Sequence, residues 1–145
     1  MSDLPIIQKT YDLIKWYVPI LNRLPRDHKF LLGNRMITGL YDLLDVLLTA
    51  RYAKQKLTYL EPLNSKLDIL RHQTRLLLDY NLIKTERYEY AQRLLNDVGI
   101  DLGGWIKQQK NRDTDEKNGL RLRSALDFAQ PSTSLSPRLR SALDS

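Results

Sequence analysis

The side chains able to carry acid–base, nucleophilic or metal chemistry are few in this chain and poorly spaced for it. His28 and His72 are the only histidines and cysteine is absent, which closes thiolate catalysis, disulfides and cysteine-bound zinc. The two histidines fall on different predicted helices. Neither has a second histidine four residues away, the spacing that turns two imidazoles toward one metal. No Gly-rich phosphate loop, nucleophile elbow or Glu-x-x-His pair of the di-iron bundle type occurs. The glycines of Val98-Gly99-Ile100-Asp101-Leu102-Gly103-Gly104-Trp105 follow a helical pattern, whereas a dinucleotide-binding turn follows a strand. No catalytic residue, metal or cofactor is expected.

What the chain offers instead is cations. Lysine and arginine number 23 against 17 aspartates and glutamates, a net charge of +6 over 145 residues. A surplus of this size serves either solubility or attraction to a polyanion, and placement decides between them. Arg23, Arg26 and Lys29 gather at the first predicted interhelical turn, and Arg51, Lys54 and Lys56 at the second. Arg71 and Arg75 share a face of the third helix, and Arg87 and Arg93 lie on the fourth. Such groups hold phosphates by charge and, through arginine, by bidentate hydrogen bonds. Arg23, Arg26, Lys29, Arg71, Arg75 and Arg87 are the candidate nucleic-acid or partner-binding residues. Against this, Asp68 stands at helical spacing from Arg71 and Asp79 from Arg75, the pattern of a solvated face with ordinary ion pairs. Trp16, Tyr52, Tyr59 and Tyr80 fall at helix edges or ends, where they either stack on bases, anchor a protein contact or close a core.

The elements that position these groups are helices. Pro5 suits a first helical turn, and Ile6, Ile7, Thr10, Tyr11, Leu13, Ile14, Tyr17, Val18, Leu21 and Leu24 recur at helical spacing after it. Pro19 should kink this helix and Leu24-Pro25 should stop it. Asp27 is the expected N-cap of a second helix reaching Ala53. There Arg35, Thr38, Asp42, Asp45 and Thr49 form a narrow polar stripe and nearly everything between is apolar. One neighbouring surface cannot cover so wide an apolar arc, so a homo-oligomer is expected. Leu60, Leu63, Leu67, Leu70, Thr74 and Leu77 mark a third helix with Pro62 in its first turns. A fourth starts with Thr85 as N-cap and carries Tyr88, Ala91, Leu94, Leu95, Val98, Leu102, Trp105 and Ile106. Gly99, Gly103 and Gly104 each cost this helix about 1 kcal/mol relative to alanine, so each should admit a close neighbour such as another backbone.

Short turns make successive helices antiparallel. The expected fold is all-α, an up-down-up-down four-helix bundle over residues 1–110. Residues 111–145 change to polar composition and are expected to form a tail without fixed structure. The heptapeptide Arg-Leu-Arg-Ser-Ala-Leu-Asp occurs there twice, from Arg121 to Asp127 and from Arg138 to Asp144. It is either a duplicated docking motif or a duplication in the coding sequence, and the inability of heptapeptides to fold alone favours the second. No stretch of about 18 residues is apolar and free of charge, and no opening segment has the pattern of a secretory signal. A cytoplasmic protein with no membrane contact is expected.

The phrase Leu24-Pro25-Arg26-Asp27-His28-Lys29-Phe30-Leu31-Leu32-Gly33, the run from Leu44 to Ala53, and the ending Val98-Gly99-x-x-Leu102-Gly103-Gly104-Trp105 resemble the accessory variability determinant (Avd) family of diversity-generating retroelements. The likeness spans residues 4 to about 109. It implies a small basic four-helix bundle that assembles as a homopentameric barrel, associates with the retroelement's reverse transcriptase, binds RNA or DNA and supports mutagenic retrohoming without being an enzyme. Proteins encoded by intervening sequences in large-subunit ribosomal RNA genes share the bundle. Their alanine- and asparagine-rich segment with an Ala-Glu-Gly ending is missing here, which favours the retroelement branch. The alternative is a protein-interaction scaffold of the same fold with no nucleic-acid binding.

Overall fold

The computed structural model describes residues 4–129, and every regular element among them is helical. The chain divides into two compact units, Met1–Gln108 and Gln109–Ser145.

In the first unit, α1 (Pro5–Asn22) starts at a proline whose missing amide costs nothing there. Pro19 lies inside α1 without ending it. The helix stops at Arg23, whose N–H reaches the carbonyls of Ile20 and Leu21, one step before the Leu24-Pro25 pair that disfavours helical backbone. The next rod is continuous but not uniform. A three-residue turn α2 (Arg26–His28) passes into a π-helical segment, Lys29–Gly33, and then into α3 (Asn34–Tyr52). The cap expected at Asp27 falls instead at Pro25, whose backbone (φ −52°, ψ 148°) leads into the helix. Asp27 sits in the first turn, where its charge still complements the dipole.

Periodicity did not indicate the π segment. Lys29 and Met36 are seven residues apart, which in an unbroken α-helix would put the lysine on the core face. The wider turn carries it off that face, and Lys29 is half-exposed while Met36 is fully buried.

The third rod is broken where one helix was expected. A short α4 (Lys56–Leu60) precedes α5 (Leu63–Asp79), with Glu61 and Pro62 between them, since Pro62 has no amide to continue the ladder. α5 ends in a Schellman turn. Asn81 takes the left-handed conformation (φ 59°). Its N–H bonds Leu78 O at 2.9 Å, and that of Leu82 bonds Leu77 O at 2.8 Å. The fourth rod, α6, spans Thr85–Ala129. Its cap falls one residue before Thr85, at Lys84, whose carbonyl accepts the Tyr88 N–H at 3.0 Å.

Side-chain contacts fix the directions. Asp42 pairs with Lys66 while Gly39 faces Leu70, so α3 and α5 run oppositely. Lys9 pairs with Asp101 and Trp16 meets Tyr90, so α1 and the first part of α6 do too. The core takes Leu13, Tyr17 and Leu21 from α1, and Met36, Leu40, Leu43 and Leu47 from α3. Leu63, Leu67, Leu70 and Leu77 come from α5, and Ala91, Leu95, Val98 and Leu102 from α6. The unit is a four-helix bundle.

In the second unit, α6 continues through Asn111, where the sequence pattern suggested a tail. No proline intervenes before Pro131, and three arginines, three leucines and two alanines between Asn111 and Ala129 favour helix without needing a core. Leu120, Leu122 and Leu126 are exposed on it. The first heptapeptide, Arg121 to Asp127, is therefore helical, and the second lies outside the described residues.

Two buried threonines, Thr10 and Thr74, return their hydroxyl protons to their own helices, on Ile6 O at 2.8 Å and Leu70 O at 2.7 Å. Thr74 has then no proton left to give, so in its 2.6 Å contact with Tyr17 the phenol donates. Burial pushes the Tyr17 phenol well above its ordinary value of 10.0, and a hydrogen bond that the phenol donates favours the same protonated form. A raised folded-state value means the contribution is complete below pH 10 and is lost as pH rises beyond it. Denaturant unfolding followed from pH 8 to 11 should show stability falling above pH 10. Tyr17→Phe should lose about 1 kcal/mol at neutral pH and show a shallower alkaline decline.

Candidate nucleic-acid interface

The antiparallel bundle brings the turn from α1 to α2 and the turn from α5 to α6 to the same end. The rings of His28 and Tyr80 meet there, 5.2 Å between centroids and 31° apart in plane. Four of the six candidate cations belong to this end. Arg23 caps α1 and is exposed, Arg26 is exposed in α2, Lys29 is half-exposed in the π segment, and Arg87 is exposed in the first turn of α6. Arg87 borders an open recess formed by Asn81, Leu82, Ile83, Lys84 and Glu86. The Schellman turn at Asn81 is what folds this recess back onto the end of α5.

The other two candidates lie along α5. Arg71 is half-buried and leans on α6: a Cβ on Gly99 would stand 2.7 Å from its Nη2, and the Gln92 amide donates to its carbonyl at 3.1 Å. Arg75 remains exposed, its Nε 3.8 Å from the Asp79 carboxylate. Gly99 thus admits a guanidinium, not the backbone expected of it, and around Gly103 and Gly104 nothing stands within 4 Å of an added Cβ.

The basic residues of the second turn are used differently. Lys56 Nζ donates to the carbonyls of Ala50 at 2.9 Å, Arg51 at 2.8 Å and Ala53 at 2.9 Å. Its three protons close the C-terminus of α3, satisfying orphan acceptors and the negative end of the dipole together. Arg51 lies 4.7 Å from the Tyr52 ring centre and bonds its hydroxyl. Trp16 packs edge-on against Tyr17 at 5.0 Å and tilted by 50° against Tyr90 at 5.3 Å, the core-closing option among those considered.

Sequence reading passed over Phe30 and His28. Phe30 is 55% exposed, with Arg26 Cζ 6.0 Å and Lys29 Nζ 5.8 Å from its ring centre. The interleaved Arg26-x-His28-Lys29-Phe30 was the signal, since alternation of cations with rings is what single strands of nucleic acid engage.

The apolar arc of α3 divides as its spacing suggests. Met36, Leu40, Leu43, Leu47 and Ala50 are buried, and the polar stripe Arg35, Thr38, Asp42, Asp45 and Thr49 is exposed. Between them Ile37, Tyr41, Leu44 and Leu48 form a third stripe, spaced by four, three and four, that the chain covers only in part, with Tyr41 exposed.

The family model described as bAvd-like matches residues 4–109. The chain belongs to the bAvd-like family. Its matched span contains the whole bundle and all six candidate cations. No curated protein matches the chain. Among the described residues, no three His, Cys, Asp or Glu side chains converge as a metal site, and no helix is long and apolar enough to cross a membrane.

The cap role of Lys56 is open to test. Lys56→Met should destabilise the bundle by about 1–3 kcal/mol in urea unfolding, whereas Lys54→Met, at an exposed position in the same turn, should leave the midpoint unchanged.

Proposed function

We propose that this protein is a non-enzymatic accessory factor of a diversity-generating retroelement, acting in the cytoplasm on its reverse transcriptase and on RNA or cDNA to support mutagenic retrohoming. Residues 1–110 are the functional bundle, and 111–145 are a polar C-terminal tail carrying the duplicated heptapeptide. The observation that carries the reading is the convergence of Arg23, Arg26, Lys29 and Arg87 from two distant turns on one end of the bundle. Membership of the bAvd-like family supports the retroelement context.

Assembly completes it. The stripe Ile37, Tyr41, Leu44 and Leu48 is the contact between copies, and a closed homopentameric barrel repeats the basic end around its axis. Summed over a ring, a modest surplus becomes a strong positive field. Arg71 and Arg75 contribute from the flank of each subunit. The rival reading, a scaffold that binds only protein, draws on exposed Leu31, Ile69 and Leu76.

A gel-shift titration with structured RNA should show affinity falling steeply with salt, because each neutralised phosphate releases counterion. Arg23→Glu with Arg26→Glu should weaken binding and flatten that slope. Absence of RNA binding even at low salt would leave the scaffold. Native mass spectrometry at micromolar concentration should give five copies, and Tyr41→Glu with Leu44→Glu should reduce the mass. A monomeric parent protein would overturn the ring.

A further inference from the structure

We propose that the basic end of the bundle selects unpaired over paired nucleic acid, by stacking bases on Phe30 and on the Tyr80–His28 pair with a phosphate held by Arg35 between them. This rests on the nucleic-acid reading above and states which form of polymer the site takes.

Two open grooves adjoin there. One, of about 410 Å3, is lined by Phe30, Leu31, Asn34, Arg35, Ile69 and Gln73 among others. The second, of about 400 Å3, is lined by His28, Leu31, Leu32, Arg35, Leu76 and Tyr80. Leu31 and Arg35 belong to both, so an aromatic ring stands in each groove and a single exposed guanidinium lies where they meet. The order ring, cation, ring matches the order base, phosphate, base along one strand.

The rings are available for this. Phe30 is 55% and Tyr80 52% exposed, and Leu31 beside them is 71% exposed. Arg26 and Lys29 lie against the Phe30 ring, so a base placed on it would bring its flanking phosphates to two more cations. Asn34 and Gln73 line the Phe30 groove, and their amides can meet any base edge as donor or acceptor.

A duplex cannot use this arrangement. Along its length its base faces are already stacked on one another, leaving phosphates, sugars and base edges, on which the rings cannot stack. Base–aromatic stacking tolerates every sequence because every base has a π-face, so the selectivity is for strandedness and not for sequence.

Fluorescence anisotropy with the full-length protein would compare a labelled oligouridylate with a blunt RNA duplex of equal phosphate number. The parent protein should prefer the single strand. Phe30→Ala and Tyr80→Ala should each weaken single-strand binding about tenfold and leave duplex binding within about twofold. Phe30→Tyr should retain the single-strand affinity, and Arg35→Gln should weaken it and flatten its salt slope. Equal affinity for both probes, or single-strand binding indifferent to both alanine variants, would overturn the proposal while leaving the nucleic-acid reading intact. If Arg23→Glu with Arg26→Glu also left every affinity unchanged, the broader reading would fail as well. Circular dichroism melting and native mass of each variant complete the test. A variant that loses mass along with affinity for both probes would make the grooves a contact between copies, which also overturns it.

Discussion

A helix has one circumference, and α3 divides its own among three environments. Its core sector, from Met36 through Leu40, Leu43 and Leu47 to Ala50, is fully buried. Each of these side chains contributes on the order of 1.5–3 kcal/mol if it is large and apolar, so this sector decides where α1, α5 and α6 can lie. The remaining two sectors then have no freedom. At 100° per residue the stripe of Ile37, Tyr41, Leu44 and Leu48 must emerge on one flank and that of Arg35, Thr38, Asp42 and Asp45 on the other. Which sector faces which surface sets where a second copy meets α3 and leaves Arg35 exposed.

Such sectors were legible because they depend only on spacing. The positions of Tyr17 and Thr74 in the core were legible for the same reason, but their hydrogen bond was not. Residues 57 apart meet only through the packing of two helices. The breaks were half legible. Pro25 and Pro62 announce discontinuities, yet the cap at Pro25 in place of Asp27, and the short α4 before Leu63, depend on which local hydrogen bonds win. The π turn had no signature in Lys29-Phe30-Leu31-Leu32-Gly33, whose composition suits an α-helix as well.

The cations teach a related lesson. Lys56 and Arg26 look alike in the sequence, each next to a predicted turn. One spends its three protons on carbonyls of its own chain, and the other lies exposed beside a ring. Both open a short helix after a turn, so what separates them is where the side chain goes. Lys56 reaches back over the end of α3, where acceptors lack donors, and Arg26 turns to the Phe30 ring. Arg71 shows a third fate, set by a missing side chain at Gly99.

The π segment can be put in genetic terms. It is equivalent to one surplus codon between Lys29 and Gly33. Deleting a single residue there would let the rod close into ordinary α spacing and swing Arg26, Asp27 and His28 through roughly 100° about its axis. From Met36 onward the core register of this rod would be kept, and buried Gly33 and the core-packed Leu32 are the interior positions that would have to adjust. The outer end would present a different set of side chains, so this position lets that end of the bundle be re-aimed with only local repacking.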